Sequence, residues 1–110
     1  MSDDANSERQ LAHMVYFTLK EDTAEGRQQL LDDCRHFLTD HEGVASFGVA
    51  ILAAELTRPV NDLDFHISLH LVFENRAAHD VYQTHERHVA FIEKNKDTWA
   101  QVRIFDSYLQ

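Results

Sequence analysis

An α+β fold with its elements in the order β-α-β-β-α-β is what this sequence predicts, on three observations. The stretches LAHMVYFTLK (residues 11–20) and DFHISLHLVF (64–73) alternate with the two-residue period of strands. VASFGVAIL (44–52) is nearly all apolar or small, as a strand without a solvent face would be. The segments that follow LAHMVYFTLK and DFHISLHLVF carry apolar residues at helical spacing.

In the first strand Leu11, His13, Val15, Phe17 and Leu19 share one face, and Met14, Tyr16 and Thr18 share the other. Thr23 is placed to cap the helix that follows, whose stripe is Leu30, Leu31, Cys34, Phe37 and Leu38. Gly43 is expected to end that helix as a C′ glycine. After the second strand, residues 53–62 hold the only proline, Pro59, and form a loop. The third strand is expected to put Phe65, Ile67, Leu69, Leu71 and Phe73 on one face, and His66, Ser68, His70 and Val72 on the other. Asn75 caps a helical region reaching about Lys96 and interrupted near His85, and residues 102–109 alternate as a final strand.

Connection rules turn this order into a ferredoxin-like, four-stranded antiparallel sheet with both helices on one face. Met14, Tyr16, Val72 and Phe105 then lie on the face the helices cannot cover, and an apolar face of that size is seldom left bare. The expected partner is the chain itself, a homodimer whose sheets pack face to face into a dimeric α/β barrel, with His66, Ser68, His70 and Arg103 in or near the joint.

At 110 residues the chain is one domain's length: an acidic tail over residues 1–10, expected to be disordered, and a folded domain over 11–110. Ten Lys and Arg against 19 Asp and Glu give a formal charge of −9, which opposes binding to nucleic acid and to an anionic membrane surface. Protonating the eight histidines would bring the charge to −1, so solubility is expected to worsen in mild acid. A single cysteine, Cys34, excludes an intrachain disulfide, and a cytoplasmic location is expected. Cys34 lies on an apolar helix stripe and is expected to be a core residue, with Trp99 in packing.

The chemistry-bearing stretch is YQTHERHVAF (82–91), where Tyr82, His85 and His88 recur three apart. Such a trio suits metal ligation, acid/base work or a wet helix surface. Metal ligation fits worst, because His85 and His88 are i and i+3 where a zinc helix needs i and i+4. His66 and His70 are about 13 Å apart along a strand, too far to share an ion directly. No metal and no cofactor are expected.

Taken in order, LAHMVYFTLK, DFHISLHLVFEN, YQTHERHVAFI and a closing strand with Trp99, Val102, Ile104, Phe105, Asp106 and Tyr108 resemble the stress-responsive dimeric α/β-barrel (Dabb) domain over about residues 11–109. Glu86 stands where the family usually has a proline. The resemblance implies the barrel dimer and a pocket between sheet and helices. By similarity to a plant cyclase of the family, which condenses a linear polyketide without a cofactor, it implies His88 as general base with Tyr82 and His13 beside it. The implied pocket wall is Val15, Phe17, Leu69, Phe91, Val102 and Ile104. Two functions fit: a cofactor-free enzyme removing a proton α to the carbonyl of a hydrophobic compound, or a non-catalytic ligand-binding or stress-protective dimer. A monooxygenase of the wider barrel group is a variant of the first.

Overall fold

The computed structural model describes residues 6–110. Its elements are β1 (Leu11–Leu19), α1 (Ala24–Leu38), β2 (Val44–Ile51), β3 (Ile67–Phe73), α2 (Arg76–Thr84), α3 (Glu86–Asn95) and β4 (Trp99–Tyr108), with one 3₁₀ turn at Lys96–Thr98. The strands form one antiparallel sheet in the order β2-β3-β1-β4. This is the ferredoxin-like arrangement, with one expected helix divided in two. Of the tail, residues 1–5 lie outside the described residues; Arg9 N–H closes a turn on Asn6 O, and Leu109 N–H donates to Gln10 O.

The core lies between the sheet and the helices, where β1 and β3 turn one of their apolar faces. Val15 and Phe17 of β1, Leu69 and Leu71 of β3, Leu30 and Cys34 of α1, and Tyr82 and Phe91 of the divided helix pack into one cluster. Thr23 Oγ1 accepts from Gly26 N at 2.9 Å and Asn75 Oδ1 from Ala78 N at 2.9 Å, so α1 and α2 start at the residues expected to cap them. A polar tie crosses the helix layer: buried Asp33 accepts from Lys94 Nζ at 2.9 Å and from Asn95 Nδ2 at 3.1 Å. A satisfied, charge-assisted pair of this kind contributes about 1–3 kcal/mol and fixes α3 against α1.

Three sequence expectations are corrected. Gly43 does not cap α1: the C-cap is Thr39, and Asp40 takes the left-handed conformation at φ 61°. Gly43 is needed for the turn into β2, because its φ is 84° and a Cβ there would lie 2.4 Å from Ala78 Cβ of α2. His66 is outside β3 and away from the open sheet face, since its Nδ1 accepts the Leu19 N–H at 2.9 Å, where the β1–β4 register shifts. The alternation therefore breaks before Ile67, and Phe65 swings to the open face, its ring 4.9 Å from Tyr16.

That open face carries Met14, Tyr16, Ser68, His70, Val72, Arg103 and Phe105, in register across β3, β1 and β4. Ser68 Oγ meets His70 Nε2 at 2.9 Å, and His70 Nδ1 lies 3.0 Å from Met14 Sδ. Arg103 holds the 52–66 loop over one end by donating to Asp62 Oδ2 at 2.7 Å and Asp64 O at 3.1 Å. Under the loop lies a hollow of about 490 Å³ lined by Met14, Tyr16, Leu56, Leu63, Phe65 and Phe105, among others. Phe105 is 54% exposed in the isolated chain.

Candidate functional site

The site grows from the break between α2 and α3. His85 has extended backbone angles, φ −64° and ψ 139°, which end α2, and its ring Nδ1 accepts Arg87 N–H at 3.1 Å to start α3. Arg87 then donates to the carbonyls of His36 at 2.6 Å and Thr39 at 2.8 Å, anchoring the new helix to the end of α1. Breaking a helix leaves its last carbonyls without intrahelical donors. One of them, Gln83 O, lies 3.0 Å from His88 Nδ1. A carbonyl only accepts, so the proton of a neutral His88 sits on Nδ1 and Nε2 keeps its lone pair.

The same break solves the geometry of the trio. In a continuous helix, positions 82 and 88 would lie about 120° apart around the axis. With the helix broken, the rings of Tyr82 and His88 come within 4.4 Å, centroid to centroid. His85 turns away, its ring 4.8 Å from that of His41.

Tyr82 and His88 border a cavity of about 110 Å³ between the sheet and the divided helix. Its wall contains His13, Val15, Phe17, Leu69, Phe91, Val102 and Ile104, together with Gln83, Ile92 and Trp99. The strand residues are neighbours by register, His13 opposite Asp106, Val15 opposite Ile104 and Phe17 opposite Val102. Val102 and Ile104 remain 36% and 53% exposed, so the apolar wall runs out along the edge strand β4. Trp99 packs against Phe17 and Phe91, and its indole Nε1–H is buried with no hydrogen-bond partner among the described residues.

Burial decides the protonation states here. It lowers the His88 pKa, helped by the imidazoles of His13, His41 and His79 and opposed by the Gln83 bond. It raises the Tyr82 pKa well above the usual phenol range. At neutral pH the cavity thus holds a neutral imidazole and an intact phenol, a proton acceptor beside a proton donor. Burial also lowers the pKa of His13, although the carboxylate of Asp106 pulls the other way at 2.5 Å from its Nδ1.

Sequence reasoning missed Asp106, His79 and His41. Asp106 reaches His13 only through the β1–β4 register, a tertiary fact, and His79 comes down from α2 with its ring 5.3 Å from His13. His41 stacks edge-on against Tyr82 at 5.0 Å from the turn after α1. The signal available in the sequence was the number of histidines, not their positions. Cys34 is fully buried and its thiol is pushed up to about 12 by burial, so it is inert at neutral pH.

The profile of the family described as stress responsive A/B barrel domain, Dabb, matches residues 11–109. Among curated proteins none matches. Similar solved structures include a Dabb family protein with a ferredoxin-like fold from Mesorhizobium loti, 24% identical over 93% of this chain and 98% of that one, with a TM-score of 0.77. A dimeric ferredoxin-like protein of unknown function from Thermobifida fusca is 10% identical over 99% of both chains, TM-score 0.76. The hydroxynitrile lyase of Passiflora edulis is 10% identical over 94% of this chain and 95% of that one, TM-score 0.74. At such identities the likeness to these structures carries the fold. With a profile match that begins at the first residue of β1 and ends one residue past β4, the chain belongs to the stress responsive A/B barrel domain family.

Proposed function

We propose that the cavity binds a small hydrophobic carbonyl compound and that His88 removes a proton α to the carbonyl without a cofactor. The observation that carries this is the His88 ring itself, with Nδ1 engaged by Gln83 O while Nε2 has no hydrogen-bond partner among the described residues. In the proposed step Nε2 takes the α-proton, and the C–H electron pair moves to the carbonyl, making an enolate whose oxygen accepts from the Tyr82 hydroxyl. The proton then returns from His88 to carbon. His13, held by Asp106, sits at the cavity's edge and fixes its polarity.

The volume supports a small substrate, or the reactive end of a longer one. Ligand pockets commonly run to about 300–1,000 Å³, and this one is about 110 Å³. A longer apolar tail would lie along the exposed Val102 and Ile104. A structural relative of this fold is an enzyme, the hydroxynitrile lyase, and others of unknown function are described as dimers. The chain pairs with a second copy through its open sheet face, burying Met14, Tyr16 and Phe105.

Deuterium uptake at the α-carbon of small apolar ketones, followed by proton NMR in D₂O, tests the reaction. Wild-type protein should catalyse exchange, and His88→Ala should abolish it while the far-ultraviolet circular dichroism stays unchanged. Saturable binding with no exchange would overturn the catalytic reading and assign the cavity to a ligand-binding dimer.

A further inference from the structure

We infer that His13, His79 and Asp106 form a binding site for one first-row divalent transition ion of the zinc class at the His13 end of the cavity. Each residue offers one ligand atom, and the three atoms lie within 4.8 Å of one another. They come from three elements, β1, α2 and β4, so the grouping is built by the fold and not by a run of adjacent residues. Two imidazoles and one carboxylate are three protein ligands of the kind that open zinc sites use, leaving a further position for water or a ligand. The same set disfavours magnesium and calcium, which take mainly oxygen.

The surroundings suit an ion. His13 is 3% exposed, so little water competes for an ion beside its ring. His79 Nδ1 lies 3.0 Å from the carboxylate of Asp80 and its Nε2 lies 3.3 Å from Gln83 Nε2. With Nδ1–H donating to Asp80, Nε2 carries the lone pair, which accepts from Gln83 Nε2–H here and would turn to the ion, while Asp80 orients the ring as carboxylates behind metal-bound histidines do. Bonds of about 2.0–2.2 Å set ligand atoms roughly 3.4 Å apart, so side-chain rotation would open the His13 Nδ1–Asp106 Oδ1 pair, now at 2.5 Å, and bring His79 in. The ion would take the place of the proton shared by His13 and Asp106. It would stand beside Tyr82, whose ring centroid is 6.1 Å from that of His13. The site does not rest on the proton-transfer chemistry of His88, and loss of either leaves the other standing.

Cobalt(II) titration of the full chain without an affinity tag, read by its visible ligand-field bands, tests the site, and zinc should displace the colour. One ion per chain is expected, with affinity reduced about 10–100-fold in His79→Ala and in Asp106→Asn. His36→Ala, an exposed histidine on α1, should change nothing. Proton NMR of the wild-type cobalt form adds a readout that needs no variant, with paramagnetically shifted ring signals from His13 and His79. Absence of a one-equivalent site, wild-type affinity in either ligand variant, or shifted signals from other histidines would each overturn the inference.

Discussion

Replacing Gly43 with alanine strikes the contact on which the placement of α2 depends. Two costs add. The residue sits at φ 84°, where an L side chain is disfavoured by about 1–2 kcal/mol. Its new Cβ would lie 2.4 Å from Ala78 Cβ in the first turn of α2, and relieving such overpacking costs roughly 1–3 kcal/mol. Together Gly43→Ala should lose about 2–5 kcal/mol, read as a lower urea midpoint by circular dichroism. The two terms separate in a double-mutant cycle, because Ala78→Gly removes the clash but not the backbone strain. Ala78→Gly alone should cost about 1 kcal/mol as a glycine in a helix. The double variant should be more stable than the sum of the singles by about 1–3 kcal/mol. Since α2 carries His79 and Tyr82, the single variant should also weaken ligand binding in the cavity. A loss below about 1 kcal/mol, or strictly additive effects, would refute the contact.

Three further outcomes follow from the buried groups and the open sheet. His13, His41 and His88 have folded pKa values below their ordinary value, so just below pH 6.5 the unfolded chain binds more protons and stability falls as pH falls. Urea midpoints should drop between pH 7.5 and 5.5, above the carboxylate range, with a slope of up to about 1.4 kcal/mol per pH unit for each proton; a flat or rising profile would contradict this. Phe105→Asp places a charge on the open face and should shift sedimentation from dimer to monomer, whereas an unchanged dimer would put the joint elsewhere. Cys34, fully buried with its thiol pushed up to about 12, should react with a maleimide only after denaturant is added, and rapid labelling of the native chain would contradict its core position.

What was legible in the sequence depended on local periodicity. Alternation in LAHMVYFTLK put Val15 and Phe17 on the helix side, and the final strand's alternation put Val102 and Ile104 opposite them, which the register repeats pair by pair. The break at His85 was legible because positions 82 and 88 cannot flank one cavity on a straight helix. Periodicity failed where the chain leaves a ladder. Phe65 and His66 continue the alternation of β3 on paper, but the His66 ring caps Leu19 N–H, and the face of each residue upstream is reset. Gly43 looked like a helix cap because it follows an amphipathic stripe; its reason is a contact with a helix 35 residues later. Asp106 and His79 had no local signature, since only folding brings them to His13.

The state of the His88 ring is the most direct test of the proposed proton acceptor, and it needs no substrate. Nitrogen-15 NMR of the imidazole distinguishes a protonated from an unprotonated ring nitrogen and follows each through a pH titration. The predicted result at neutral pH is a proton on Nδ1 and a bare Nε2, as the Gln83 carbonyl requires, with a midpoint below the ordinary histidine value, as burial beside Tyr82 requires. A proton on Nε2 at neutral pH, or a midpoint at or above the ordinary value, would contradict it and leave the cavity without its base.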